Sequence, residues 1–374
     1  MVSVIHCLNE ILGVILMRLE AWEKFKQVAL FNRKDSAKGG SYVEEKKVLI
    51  ALIVDSPWLP GFMGISHLDY FTLPDQWMRA NLYIEERFPE VIFLPGFWVE
   101  YGMAIEPSAF GCKITWWGNN PPSINPTIHD ISEISKLKVP NPTEDGLMPF
   151  ALNLYRHIQK SLKGHENHIK MVAARGPLAI AAHLRGITEL FLDLKLFPTE
   201  TKKFLEITTQ TVIRWLSAQI DNLSEVEGIM VLDDIVGFLS LNDYLEFAHP
   251  CLKEIFSSFE GMVKVYHNDS KIAHLLESLA ETGFHVLNFS HKLDIGEVWE
   301  KVGNRICLMG NIPPLEVLTR GTPEEVKSVA AQCLLKTKGG RGLILSAGGG
   351  ASPGMPAKNL EALGEVSKST LTDI

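Results

Sequence analysis

Five short segments in the second half of the chain end in the side chains that chemistry needs. Ile229 to Leu232 runs into Asp233-Asp234, Val263 to Tyr266 into His267-Asn268-Asp269, and Leu287 leads to Asn288 and then Ser290-His291. Ile306 to Met309 ends in Gly310-Asn311, and Leu343 to Leu345 in Ser346-Ala347-Gly348-Gly349-Gly350. Imidazole and carboxylate together suit Zn²⁺, and a catalytic zinc needs three protein ligands with one position left open. His267 and Asp269 in a His-x-Asp spacing, joined by Asp234 or Asp233 and by Glu246, supply such a set. Without a metal, Asp233, Asp234, His267 and Asp269 are equally the candidates for general acid and base work. Each has a plain structural alternative. Aspartate at a strand-to-helix turn is an ordinary helix cap, a lone histidine is often structural, and Glu246 suits the solvated face of a helix. Convergence at several strand ends is what favours a site. The glycines of SAGGGASPG suit either a tight turn or an anion cradle of backbone N–H groups, and no GxxxxGK[ST] motif is present.

Such groups converge only if the apolar runs before them are parallel strands. Eight runs recur along the chain, at 48–54, 91–94, 171–174, 228–232, 263–266, 285–289, 306–309 and 343–345, most followed by helical periodicity. That alternation predicts an α/β protein, a single (β/α)8 TIM-type barrel, with an open doubly wound sheet as the alternative. Because a barrel's site lies at the carboxyl ends of its strands, Asp233, Asp234, His267, Asp269, Asn311 and Gly348 are all expected at one mouth. Helices are expected over 198–223 and 242–259, and over 323–336, where Thr322-Pro323-Glu324-Glu325 makes a good start. Residues 1–46 read as an N-terminal extension and helix, with Asp35 to Ser41 (DSAKGGS) flexible, and residues 47–374 as the barrel. The stretch from Phe97 to Pro149 breaks the rhythm and is expected to cover the mouth, contributing Glu100 and Glu106, with Trp98, Phe110, Trp116 and Trp117 as candidate pocket aromatics.

Composition narrows the class. At 46% hydrophobic and 21% charged residues the chain is of ordinary globular type. A formal net charge of −8, with no basic run beyond pairs such as Lys202-Lys203, excludes a nucleic-acid partner. The five cysteines are scattered, without a CxxC pair, as expected of a cytoplasmic protein. The apolar stretch Val2 to Leu16 is too short to span a bilayer and lacks a basic leader, so no membrane association is expected.

Over roughly residues 85 to 365 the chain resembles the uroporphyrinogen decarboxylase superfamily. The resemblance rests on Gly176-Pro177-Leu178, His183-Leu184-Arg185-Gly186, Val263 to Asp269, Leu308 to Ile312 and Ser346 to Asn359. It implies the barrel fold, and activity in one of two branches. The decarboxylase branch opens on an arginine-rich motif that binds substrate carboxylates, and no such motif precedes the first strand here. Arg175 and Arg185, with Asp55 or Asp233-Asp234 as pyrrole-binding carboxylate, would be substitutes. The cobalamin-dependent methyltransferase branch is closer around Ala173 to Leu196. It binds zinc through His-x-Cys and a distal Cys. Here His267 matches the His, Asp269 stands where the first Cys would be, and Ser346 to Gly350 holds no Cys. Harder oxygen ligands argue against a thiol substrate and leave the ether- and amine-demethylating relatives, for which the Glu246 to His267 spacing is similar.

The resemblance therefore implies methyl transfer from a small O- or N-methylated donor to a corrinoid carried by a partner protein, with zinc on His267, Glu246 and Asp234. Glu100, Glu106, Arg175, Asn288, Asn311 and Gly348 are the expected substrate-binding residues, and a homodimer is the assembly it allows. Its alternatives are tetrapyrrole decarboxylation, with Asp233 or Asp234 on the pyrrole N–H groups, and a carrier that binds a corrinoid or tetrapyrrole without turnover.

Overall fold

A computed structural model describes residues 20–30, 48–162, 169–339 and 342–368. Val2 to Leu16 and Asp35 to Ser41 lie outside the described residues. The strands are β1 (Ile50–Ile53), β2 (Val91–Leu94), β3 (Lys113–Thr115), β4 (Ser123–Asn125), β5 (Met171–Arg175), β6 (Gly228–Leu232), β7 (Val263–Asn268), β8 (Val286–Phe289), β9 (Cys307–Ile312) and β10 (Leu343–Ala347). All but β3 and β4 form one eight-stranded sheet in the order β2-β1-β10-β9-β8-β7-β6-β5, with parallel neighbours throughout. These are the eight apolar runs, and with helices outside they make a nearly closed TIM-type barrel.

Successive side chains of a strand point to opposite faces. Ala51 and Ile53, Met230 and Leu232, and Val263 and Val265 therefore fill the barrel interior, while Ile50, Leu52, Ile229, Val231 and Tyr266 pack outwards against the helices. The interior is plugged at the amino ends of the strands by a helix at 20–29, whose Trp22 and Phe25 stack at 5.3 Å in the same cluster. There Glu227, just before β6, pairs with Lys26 and with Lys170, the latter at 2.9 Å.

The barrel is left open between β2 and β5, so the edge of β5 must find other partners. Gly176 N–H bonds to Leu232 on the β6 side, so the Arg175 N–H faces the gap, where Glu106 Oε1 accepts it at 2.9 Å. The Ala173 carbonyl accepts from Gln219 Nε2 at 3.1 Å. Side chains thus replace the missing strand.

Two expectations are refined. The segment from Phe97 to Pro149 is more regular than its Pro and Gly content suggests: it holds the helix Ile105–Ala109, the antiparallel β3–β4 hairpin and a 3₁₀ turn over Ile131–Lys136. The expected helix over 242–259 is interrupted by a π turn at Tyr244–Ala248 before the helix His249–Ser257. Pro250 has no N–H for the carbonyl four residues back, which disrupts the α pattern there. The helix Pro323–Lys336 opens as expected, with a reciprocal box of Thr322 and Glu325. No helix among the described residues is long and apolar enough to cross a membrane.

Candidate active site

Strand alternation decides which polar residues reach the mouth. On β7, Val263 and Val265 face the interior, so His267 does too; on β6, Met230 and Leu232 are followed on the same face by Asp234. Leu232 and His267 are partners in register, which sets Asp234 beside His267. His267 Nε2 lies 3.6 Å from Asp234 Oδ1, and the same oxygen accepts the Asp269 N–H at 2.9 Å. One ligand atom from each of Asp234, His267 and Asp269 falls within 4.8 Å of the others.

The ring of His267 is held from behind. Asn288 donates both its amide hydrogens, to the Met309 carbonyl at 2.9 Å and the Ala347 carbonyl at 3.1 Å. Its Oδ1 is left facing His267 Nδ1 at 2.7 Å, so Nδ1 is the donor. In the neutral ring this leaves the Nε2 lone pair directed at Asp234. The buried His267 is thus fixed, while Asp234 is half-buried and Asp269 exposed, so the cluster opens to the mouth. Although Asp269 as a whole is exposed, its carboxyl is partly withdrawn from water at the mouth; this, reinforced by the charge of Asp234, raises it above its usual range, and His267 opposes the rise. Gly349 lets the last barrel turn approach, since a Cβ there would stand 3.3 Å from Asp269 Oδ2.

A second polar group lines the mouth beside the seam. Arg175, two residues past Ala173 on the inward face of β5, lies over the Trp98 ring at 5.2 Å from its centroid. Glu100 Oε1 accepts the Ser56 N–H at 2.5 Å, and Oε2 is 3.7 Å from Arg175 Nη2. Asp55 follows the inward Ile53 of β1; burial and then the charge of Glu100 push its carboxyl up to about 8 against the pull of Arg175. Burial likewise raises Glu100 and Glu106, with Arg175 opposing. The strand-end logic that selects Asp234 and His267 applies equally to Asp55, which ends the first apolar run.

Other expected site residues are placed elsewhere, each engaged by groups away from the cluster. Asp233 points outwards. Its Oδ2 accepts the Leu178 N–H at 2.9 Å at the start of the helix Pro177–Arg185, and burial raises its carboxyl to about 8. Asn311 donates to the Ser290 and Leu293 carbonyls behind the sheet and faces Cys333, so it ties loops together. Gly348 packs beneath the β8 loop, where a Cβ would stand 2.4 Å from the His291 nitrogen. Glu106 holds the β5 edge, and the exposed Glu246 pairs with Lys202 of the outer helix Pro198–Asn222 at 2.7 Å, outside the Asp234–His267–Asp269 cluster.

The family model described as "Uroporphyrinogen decarboxylase (URO-D)" matches residues 62–370. A protein named uroporphyrinogen decarboxylase from Methylobacillus flagellatus is 29% identical over 270 residues, which cover 69% of this chain and 73% of that one. A second of that name from Synechococcus sp. (strain CC9605) is 27% identical, covering 67% and 71%. Among solved structures, "methyltransferase from Methanosarcina mazei" superposes with a TM-score of 0.73 at 21% identity, over 90% of this chain and 97% of that one, and shares the fold.

Proposed function

The chain belongs to the uroporphyrinogen decarboxylase family, and from that premise we propose that it moves a methyl group from a small O- or N-methylated substrate to the cobalt of a separate corrinoid protein. The observation that carries this reading is the Asp234–His267–Asp269 cluster at the open mouth. Its donors fit a divalent cation such as zinc. The 3.6 Å between His267 Nε2 and Asp234 Oδ1 suits two ligands at bond lengths of about 2.1 Å, and three protein ligands leave a position free. When bound, such an ion supplies Lewis acidity to the atom that loses the methyl group.

The rest is work for the chain's own residues. Asn288 keeps Nε2 of His267 facing the cluster, which fixes the tautomer. As the heteroatom–methyl bond breaks, the heteroatom keeps the electron pair and would take its proton from water at the open mouth, since Asp269 as a ligand is ionised.

A second reading, tetrapyrrole decarboxylation, draws on the name shared by the curated relatives. Elemental analysis of the purified protein followed by methyl transfer to cob(I)alamin separates the two. About one divalent ion per chain and methylcobalamin formed from methoxylated or N-methylated donors are expected. Absence of both, with release of CO₂ from uroporphyrinogen, overturns the methyltransferase reading.

A further inference from the structure

The arginine at the seam is a charged group of the mouth that the proposed methyl transfer leaves without a task. Arg175 is 7% exposed, yet its Nη2 has no hydrogen-bond partner among the described residues. Glu100 does not supply one. One of its oxygens takes the Ser56 N–H, and the other stops 3.7 Å short of Nη2. Glu106 takes only the backbone N–H of Arg175. Asp55, pushed up to about 8, keeps its proton at neutral pH and does not compete as an anion. A buried guanidinium with a free fork position is unfavourable unless a ligand completes it, and the planar fork matches a carboxylate.

Register sets where that ligand would reach. Arg175 is the partner of Leu232, and Leu232 of His267. The two side chains therefore leave the sheet at one level, two strands apart, with about 10 Å between backbones. Both face inwards.

We infer that the methyl donor is a small carboxylic acid, its carboxylate held by Nη2 of Arg175 and its methylated oxygen or nitrogen presented to the Asp234–His267–Asp269 cluster. The methyl half of this assignment rests on the methyl-transfer reading; the carboxylate half rests on Arg175 alone. Trp98 beneath the guanidinium holds its plane, so Arg175 is the residue that sets specificity.

The test uses donors that differ only by a carboxylate in place of hydrogen: 4-methoxybenzoate against methoxybenzene, and N,N-dimethylglycine against trimethylamine. Benzoate, which has no methyl group to give, is the control. Calorimetric titration of the full-length protein is expected to show at least one acid binding tighter than its neutral or amine counterpart. Arg175→Met is expected to weaken that binding, and benzoate binding where aromatic acids are taken, by roughly ten- to a hundredfold. Glu100→Gln provides a variant of opposite sign: its amide oxygen can still accept the Ser56 N–H, while removal of the competing charge tightens acid binding. Acids that bind no tighter than their counterparts, or acid binding unchanged in Arg175→Met and not tightened in Glu100→Gln, overturn the assignment. Arg175-dependent acid binding with no methyl transferred leaves the carboxylate half standing and sinks the methyl-transfer reading, and the methyl half with it. Methyl transfer from methoxybenzene or trimethylamine as fast as from the acids does the reverse.

Discussion

The two ends of this barrel bury carboxyl groups in opposite ways. At the amino end, burial works to raise Glu227, but hydrogen bonds from Lys26 and Lys170 and the charge of Lys170 outweigh it and bring the carboxyl down to about 2. At the carboxyl end, burial has little to oppose it, and the neighbouring charge of Glu100 adds to it, so that Asp55 rises to about 8. Glu227 meets two flexible ammonium groups, whereas Asp55 meets a guanidinium already shared with Glu100. The satisfied end stabilises the fold. The mouth keeps polar groups whose needs the protein itself does not meet, which is how binding and catalytic sites are built.

The sharpest way to break that contrast is at His267. His267→Ala is expected to abolish methyl transfer, a loss of at least about a thousandfold, and to release the bound ion. The melting temperature should move by only a few degrees, because the ring faces the mouth and, among the described residues, its side-chain hydrogen bond is to Asn288 alone. Loss of folding with full activity per folded molecule would make the residue structural. Next in size is Asn288, a positioning residue. Asn288→Ala should lower zinc affinity about ten- to a hundredfold, and transfer should return when zinc is supplied in excess. A defect that excess zinc does not relieve would trace to the Met309 and Ala347 carbonyls left without their donor.

The eight strands were readable because a buried parallel strand is a near-continuous apolar run bounded by turns, and each of the eight such runs is a barrel strand. Asp234, His267 and Asp269 were readable because they end those runs. Asp233 and Asn311 also follow apolar runs but face the helix layer, since adjacency to a strand end does not say which face a residue takes. Counting in twos from an inward residue would have separated Asp234 from Asp233. Glu246 illustrates a different gap: spacing along the chain to His267 carries no information about the helix face, and the π turn around it could not be read from apolar periodicity. The unpaired Nη2 of Arg175 depends on the seam between β2 and β5, a property of strand order.

Asp55 tests the mouth side of the contrast through stability. Its folded carboxyl, at about 8, lies above the ordinary aspartate value of 3.8. The group's contribution is therefore fully present below the unfolded value and is lost as pH rises towards 8. Asp55→Asn removes that loss, and should stabilise the protein by about 1–2 kcal/mol at pH 8 with little change at pH 4. Denaturant titrations at the two pH values measure the difference. Equal effects at both would mean that Asp55 is not the group that holds its proton.

The smallest effect expected belongs to the satisfied end, and its sign is opposite. Glu227 is part-exposed, and its pairs with Lys26 and Lys170 compete with water, so Glu227→Gln should destabilise by only about 1 kcal/mol at pH 7. Its folded carboxyl lies at about 2, below the ordinary glutamate value of 4.5. The stabilisation is therefore present above 4.5 and is lost as pH falls from there towards 2. Between pH 7 and pH 5 the wild type and Glu227→Gln should keep a constant gap, and below pH 4 the two curves should converge. A gap that also shrinks in high salt at pH 7 fits ion pairs near solvent. If the gap instead persists at pH 3, the loss comes from packing of the helix at 20–29 against β6, not from charge. The amino end would then owe its stability to Trp22 and Phe25, and the electrostatic contrast between the two ends would rest on the mouth alone.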